Sequence, residues 1–433
     1  MIVDVLLGLQ WGDEGKGKVV DYLAADYDMV ARFQGGPNAG HTLILEGGHK
    51  YVLHTIPSGI FFPQTQNLIG NGVVVDPLTL EQEIQKLEQA GLTISRNLYI
   101  ARKAHLILPT HKILDAASEQ HKGQGKIGST LKGIGPTYMD KTGRNGLRVG
   151  DLESPDFETR YEELKQKHLR LLELYPYEFQ LEPLEKAWFQ SLERLRSLNF
   201  VDGEYFINDA LRAGRRILAE GAQGSMLDID FGTYPFVTSS STISAGVCTG
   251  LGLSPRTIGD VIGISKAYCT RVGSGPFPTE EDNETGERLR KEGGEFGATT
   301  GRPRRCGWID LPALKYSILL NGVTRLVITK VDVLNHFDEI KACTGYRLNG
   351  EVTDRMPYNL NETLPEPVYR SFPGWNCSLN GIERYEDLPE NLLTYLRFIE
   401  QELEVPVVMI SSGPEREQLI RRQLADLTVS PAR

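Results

Sequence analysis

The sequence predicts an α/β fold: one large, mainly parallel central sheet flanked by helices. Short apolar runs of strand length alternate with amphipathic helical stretches, the pattern of a parallel sheet crossed by helices. Glycine is in excess, at 45 of 433 residues, against roughly 7% on average. That excess gathers in clusters at 8–17, 35–48, 123–150, 221–252 and 293–307, each beside an apolar run, as loops between buried elements require.

In chain order, Val3–Leu9 reads as a buried strand and Lys16–Ala25 as the helix after a Gly-rich turn. Met29–Phe33, Leu68–Val75, Arg216–Ala219, Val261–Ser265, Arg325–Thr329 and Pro406–Ile410 read as further buried strands. Helical patterns at 77–90, 109–121, 205–214 and 310–321 alternate with them. Residues 152–200 are charged, Leu-rich and nearly Gly-free, which predicts a helical insertion. Residues 336–390 mix turns and polar strands and read as a peripheral excursion. No repeat, low-complexity tract or linker divides 1–433, so a single domain with two excursions is expected.

Composition excludes several classes. The formal charge of −10 argues against a general nucleic-acid binder. No stretch reaches the roughly 18 apolar residues of a membrane span, so no membrane partner is expected. Five cysteines (Cys248, Cys269, Cys306, Cys343, Cys377) are odd in number and lack CxxC spacing. A disulfide framework or zinc site is therefore not expected, and a reducing, cytoplasmic setting is.

Gly12-Asp13-Glu14-Gly15-Lys16-Gly17-Lys18 satisfies G-x-x-x-x-G-K between a strand and a helix. Glycines expose backbone N–H groups there, and the helix N-terminus favours anions, so this is a phosphate cradle. It departs from an ordinary P-loop: Val19 stands where Ser or Thr would meet magnesium, and Asp13 and Glu14 lie inside the loop. A P-loop-like arrangement with the metal ligand moved into the loop accounts for both. A second Gly-rich loop, Gly35-Gly36-Pro37-Asn38-Ala39-Gly40-His41-Thr42, follows another strand. His41 could hydrogen-bond a phosphoryl oxygen or donate a proton.

Near the C-terminus, Thr329-Lys330-Val331-Asp332 ends a strand. An Asp there can accept from guanine N1–H and its exocyclic amine, a donor pair that adenine lacks, while the Lys330 stem covers the base. Ser411-Ser412-Gly413 follows another buried strand and could wall the same base. Ala298-Thr299-Thr300-Gly301-Arg302-Pro303-Arg304-Arg305 puts three arginines within four positions, and guanidinium forks take carboxylates and phosphates bidentately. Ser129-Thr130, Arg144, Glu220-Gly221-Ala222-Gln223-Gly224 and Thr238-Ser239-Ser240-Ser241 add hydroxyl, amide and guanidinium groups suited to a base and a phosphate.

Taken together, WGDEGKGK, NAGHT, the STLKGIGP loop with Arg144, EGAQGSMLDIDFGTYPFVTSS, GATTGRPRRCGW and TKVD resemble the adenylosuccinate synthetase family, in that order along essentially the full chain. Departures are small: Ser129 stands where Thr is usual, and Val331 where Leu is common.

The resemblance implies a ligase joining IMP and L-aspartate with GTP as co-substrate, releasing GDP and phosphate through 6-phosphoryl-IMP, the first committed step from IMP to AMP. It implies a homodimer and one Mg2+ per subunit, held by Asp13 and the Gly40 carbonyl. Asp13 would be the base at N1 of IMP, with His41, Lys16 and Gln223 assisting. GTP would meet Gly12–Lys18, Gly40, His41, Thr42, Arg304, Lys330, Val331, Asp332, Ser411, Ser412 and Gly413. IMP would lie against Asp13, Glu14, Gly15, Lys16, Asn38, Ala39, Gly40, His41, Thr130, Gln223, Thr238 and Arg302, with Arg144 supplied across the dimer interface. The loop Ala298–Arg304 would take the aspartate carboxylates. A P-loop-like GTPase or a non-catalytic purine-nucleotide binder is the alternative; neither needs the TTGRPRR loop.

Overall fold

The computed structural model describes residues 2–44, 49–297 and 301–422. Ten strands form the central sheet: β1 (Val3–Gly8), β2 (Met29–Arg32), β3 (Gln66–Ile69), β4 (Leu98–Ala101), β5 (Asn199–Val201), β6 (Ile217–Glu220), β7 (Ile258–Lys266), β8 (Arg325–Thr329), β9 (Val407–Ser411) and β10 (Leu419–Arg421). Their order is β10-β9-β8-β7-β1-β6-β2-β3-β4-β5. Every neighbouring pair is parallel except β9 with β10.

The strand at the centre, β1, alternates its apolar residues between two cores because successive side chains point to opposite faces. Val3, Val5 and Leu7 join Met29, Ala31, Ala219, Ile207 and Leu314 on one face. Leu6 joins Val30, Leu218, Ile264 and Val327 on the other, under Val19, Val20 and Leu23 of helix α1 (Lys16–Ala24). Every residue of β2 and of β6 is buried, as befits the middle of a parallel sheet covered on both faces.

Three expectations are corrected. The run Leu68–Val75 is two elements: β3 stays in the sheet, and Val74–Val75 pairs with His105–Leu106. Gly70 and Gly72 separate them. A Cβ at Gly72 would stand 1.9 Å from the Phe33 carbonyl oxygen, so the backbones cross too closely to continue the ladder. The 152–200 stretch holds helices Phe157–Leu172 and Glu182–Arg196, but it ends in the edge strand β5. The 336–390 stretch supplies antiparallel strands Glu339–Leu348, Glu351–Thr353 and Glu366–Pro373, which extend a second sheet begun by Tyr268–Arg271 and Arg305–Asp310. Among the described residues no helix is long and apolar enough to cross a membrane.

Candidate active site

Six adjacent strands, β9, β8, β7, β1, β6 and β2, end side by side at Ser411, Thr329, Lys266, Gly8, Glu220 and Arg32. All are parallel, so the loops that follow converge on one edge. Ligands in open α/β sheets bind outside the carboxyl ends of strands. The motifs read from sequence are largely these loops.

After β1 the chain turns through left-handed backbone at Gly12 (φ 87°), Asp13 (φ 59°) and Gly15 (φ 84°) before α1 begins. Glu14 is fully buried and points inward. Its carboxylate accepts from the N–H groups of Gln10 (3.1 Å) and Gly12 (2.9 Å) and from Lys16 Nζ (2.6 Å). Glu14 thus folds the loop, and the Lys16 ammonium faces Glu14. Asp13 stays partly exposed and pairs through Oδ2 with Arg304 Nε at 2.7 Å. Gly17 lies against the second loop: a Cβ there would come within 2.6 Å of the His41 Cβ.

His41 begins a short ribbon, His41–Ile44 with Lys50–Leu53. Its Nδ1 meets Glu220 Oε1 at 2.6 Å; Glu220 also accepts from the Ser58 hydroxyl (2.6 Å) and Ser58 N–H (2.8 Å). His41 Nε2 is buried with no partner. Burial pulls the His41 pKa down, against the upward pull of Glu220. Gln223, at the left-handed φ of 56°, donates to Asn38 Oδ1 (3.0 Å), and its own Oε1 is left without a partner. Ala39 is buried, and its carbonyl accepts from His54 Nδ1 at 2.7 Å.

Asp332 sits in a turn of 3-10 helix after β8. Its Oδ1 is buried and unpartnered, and burial raises its pKa. Val331 is fully buried in the core, which leaves only its backbone for a ligand. Lys330 is left-handed (φ 59°), and its Nζ reaches the Gly293 carbonyl (2.6 Å) and Glu295 Oε1 (2.9 Å). Lys18 spends its ammonium on Ser411 Oγ (2.8 Å), Gly413 O (2.7 Å) and Gln418 O (2.9 Å), and burial lowers its pKa to about 8. Ser412 is buried beside them.

Of the three clustered arginines, Arg305 is committed to structure: it binds the Glu280 carboxylate and the Gly275 carbonyl (2.8 Å). Arg302 is exposed. Ala298, Thr299 and Thr300 lie outside the described residues. Thr238 is half-buried, its N–H bonded to the Leu227 carbonyl (2.9 Å), and Thr42 is half-buried in the ribbon. Thr130 and Arg144 are exposed, and among the described residues neither hydrogen-bonds the 12–18 loop.

The family model described as adenylosuccinate synthetase matches residues 5–420. The adenylosuccinate synthetase of Cytophaga hutchinsonii is 58% identical over 431 residues, covering 99% of this chain and 100% of that protein. That of Flavobacterium johnsoniae is 57% identical over 424 residues, with 98% and 100% covered. The chain belongs to the adenylosuccinate synthetase family. A fully ligated adenylosuccinate synthetase from Plasmodium falciparum superimposes with a TM-score of 0.91 at 39% identity, covering 98% of this chain and 100% of that one. The family comprises ligases that form a C–N bond, depend on GTP and generally use Mg2+.

One cluster away from the site has metal-ligand chemistry: His111, Asp140 and His168. His111 Nδ1 accepts from the Leu108 N–H at 2.9 Å, which puts its proton on Nε2, where it donates to Asp140 Oδ2 at 3.0 Å. His168 Nε2 meets the same oxygen at 2.6 Å, and Lys167 takes Oδ1 at 2.9 Å. A nitrogen already protonated toward a carboxylate is no ligand, so the cluster is a hydrogen-bonded junction of three helices. Ser58 and Glu295 carry no local motif that singles them out, and Glu220, within the stretch Glu220–Gly224, serves His41 rather than a base or a phosphate.

Proposed function

We propose that the converging loops divide the adenylosuccinate synthetase reaction, GTP + IMP + L-aspartate to GDP, phosphate and adenylosuccinate, in the following way. Asp13 takes the N1 proton of IMP, and O6 becomes the nucleophile toward the γ-phosphate of GTP. His41 donates from Nε2 to phosphoryl oxygen. The aspartate amine then displaces phosphate from 6-phosphoryl-IMP.

Of the fifteen buried side-chain atoms without hydrogen-bond partners among the described residues, His41 Nε2, Gln223 Oε1 and Asp332 Oδ1 lie on the converging loops and support this division. A buried polar atom left unpaired at a cleft calls for a ligand or water. The three lie on loops after β2, β6 and β8, which share one sheet edge. Because Nδ1 donates to Glu220, His41 can donate from Nε2 only when doubly protonated. Glu220 at 2.6 Å favours that state, as does an incoming phosphoryl group.

Asp332 reads guanine; Lys330–Asp332, Arg304, residues 12–18 and 40–42, and Ser411–Gly413 hold GTP. Asn38, Gln223, Thr238, Thr130 and Arg302 hold IMP, and the Ala298–Arg304 loop takes aspartate. The donor set for magnesium is oxygen only, the Asp13 carboxylate and the Gly40 carbonyl, which suits a hard cation completed by substrate oxygens. The ion would neutralise phosphate charge. The Asp13–Arg304 pair uses Oδ2, one of the two carboxylate oxygens. Arg144 completes the IMP site of a partner subunit in a homodimer.

The test is one coupled assay with IMP, aspartate or GTP omitted in turn. Turnover should require all three. GTP hydrolysis without IMP would indicate a P-loop-like GTPase, and binding without turnover a nucleotide-binding protein.

A further inference from the structure

Glu295 is fully buried, and a single carboxylate meets three cations. Lys330 Nζ lies 2.9 Å from Oε1, Lys266 Nζ lies 3.0 Å from Oε1, and Arg304 Nη1 lies 2.6 Å from Oε2. The Tyr268 hydroxyl also donates to Oε1. Burial alone would raise the Glu295 pKa. The three cations reverse that and hold it well below the usual carboxylate range. The backbone repeats the side-chain link: the Arg304 N–H donates to the Glu295 carbonyl at 2.9 Å, and Phe296 bridges Pro303.

Two of these cations have different duties in the site: Lys330 serves GTP alone, whereas Arg304, which also meets GTP, is the one assigned to aspartate. Lys330 follows β8 and caps the 3-10 turn that carries Asp332, the guanine-reading turn. Arg304 precedes the strand Arg305–Asp310 and reaches Asp13 Oδ2 through Nε. A continuous path of ion pairs therefore runs from Lys330 through Glu295 and Arg304 to Asp13. Lys266, committed also to Thr270 Oγ1 at 2.6 Å, fixes the carboxylate from below.

We propose that Glu295 is a positioning residue that couples Lys330, in the guanine-reading turn, to Arg304. By holding Lys330 on one oxygen and Arg304 on the other, it sets both cations at once. A ligand that fixes Lys330 therefore favours the same placement of Arg304, and by linkage the reverse. The inference rests on the assignment of Arg304 and Lys330 to substrates given above.

The test compares wild type with Glu295→Gln, Tyr268→Phe, Arg304→Leu and the double variant Glu295→Gln/Arg304→Leu. KM for each substrate and kcat are measured, with folding checked by circular dichroism. Loss of a charge-assisted hydrogen bond is worth roughly tenfold or more. Glu295→Gln should raise KM for GTP and for aspartate together by about tenfold and leave KM for IMP within about twofold. A residue that merely held the fold together would lower the active fraction, and so kcat, without moving two of three KM values. In the double variant, the aspartate KM should be no worse than in Arg304→Leu alone, because Arg304 is what Glu295 positions toward aspartate, while the GTP KM should rise further, because Lys330 has also lost its anchor.

If Glu295→Gln fails to fold, Tyr268→Phe carries the test. It removes one hydrogen bond to Oε1 and should raise the same two KM values by about twofold to fivefold. A rise confined to one of the two substrates, an aspartate KM in the double variant above that of Arg304→Leu, a GTP KM there no higher than in Arg304→Leu, or no change in either KM overturns the coupling. If Arg304→Leu itself leaves the aspartate KM unchanged, the assignment beneath the proposal has failed.

Discussion

At the scale of single residues, the site depends on atoms that the fold leaves unsatisfied. Asp332 Oδ1 is buried without a partner, and burial already raises its pKa, so a pair of guanine donors would relieve a standing cost. Asp332→Asn presents a donor there. It should raise the GTP KM by about 10–100-fold, spare IMP and admit xanthosine triphosphate in part; unchanged selectivity over ATP would remove Asp332 as the reader. Asp13→Asn should keep the fold, because glycine backbone and the inward Glu14 shape the loop, while the rate falls by at least roughly 10²–10⁴-fold. Near-normal turnover by the folded variant would end that assignment. Asp13, His41 and Asp332 were legible because each sits in a short local motif. Glu220 was not read as the partner of His41, since the two stand 179 positions apart and only the sheet register unites them.

At the scale of elements, the strands around β1 were legible, whereas β4 (Leu98–Ala101), inside the sheet and four residues long, and the edge strands β5 and β10 were not. Burial on both faces demands a continuous apolar run, as in β1, β2 and β6. Strand β5 has three residues, none buried, at the end of a charged stretch, so its sequence carries no such demand. The 54–56 turn makes a sharper case. Glu83, on helix Pro77–Gln89, accepts the N–H groups of His54 (2.9 Å), Thr55 (3.0 Å) and Ile56 (3.2 Å), and His54 holds the Ala39 carbonyl of the second loop. Burial raises the Glu83 pKa to about 7. The folded state therefore binds more protons than the unfolded chain between about pH 4.5 and 7. The stability tied to this proton is full below that window and is lost as pH rises through it. Thermal melts at pH 5 and pH 8 should show Glu83→Gln losing ground to wild type at the lower pH, by about 2–3 kcal/mol at most. A constant difference across that range would mean that Glu83 keeps one charge state throughout.

At the scale of the whole molecule, the parallel α/β class was legible, but the strand order was not. Nothing in the local composition of β1 says that its neighbours are β6 and β7. Nor does the sequence say which loops share an edge, and that edge is what assembles the site. Arg144 is exposed and caps the helix Ile134–Gly143 with a left-handed residue (φ 63°), and its proposed role in a partner's site can be tested by mixing. Arg144→Leu and Asp13→Ala subunits should each be poor alone and regain activity when mixed, since one mixed site combines both intact residues. Proven subunit exchange with no return of activity would place Arg144 outside the partner's site.

The position of β1 also governs how the molecule can be made. Both neighbours, β6 and β7, lie more than 200 residues downstream. At about 5–20 residues per second of synthesis, the strand waits on the order of 10–40 seconds for either partner. Through that interval its apolar edge is open to other chains. Refolding from denaturant should accordingly be slow and lose yield steeply with protein concentration, the mark of a sheet whose middle is closed last.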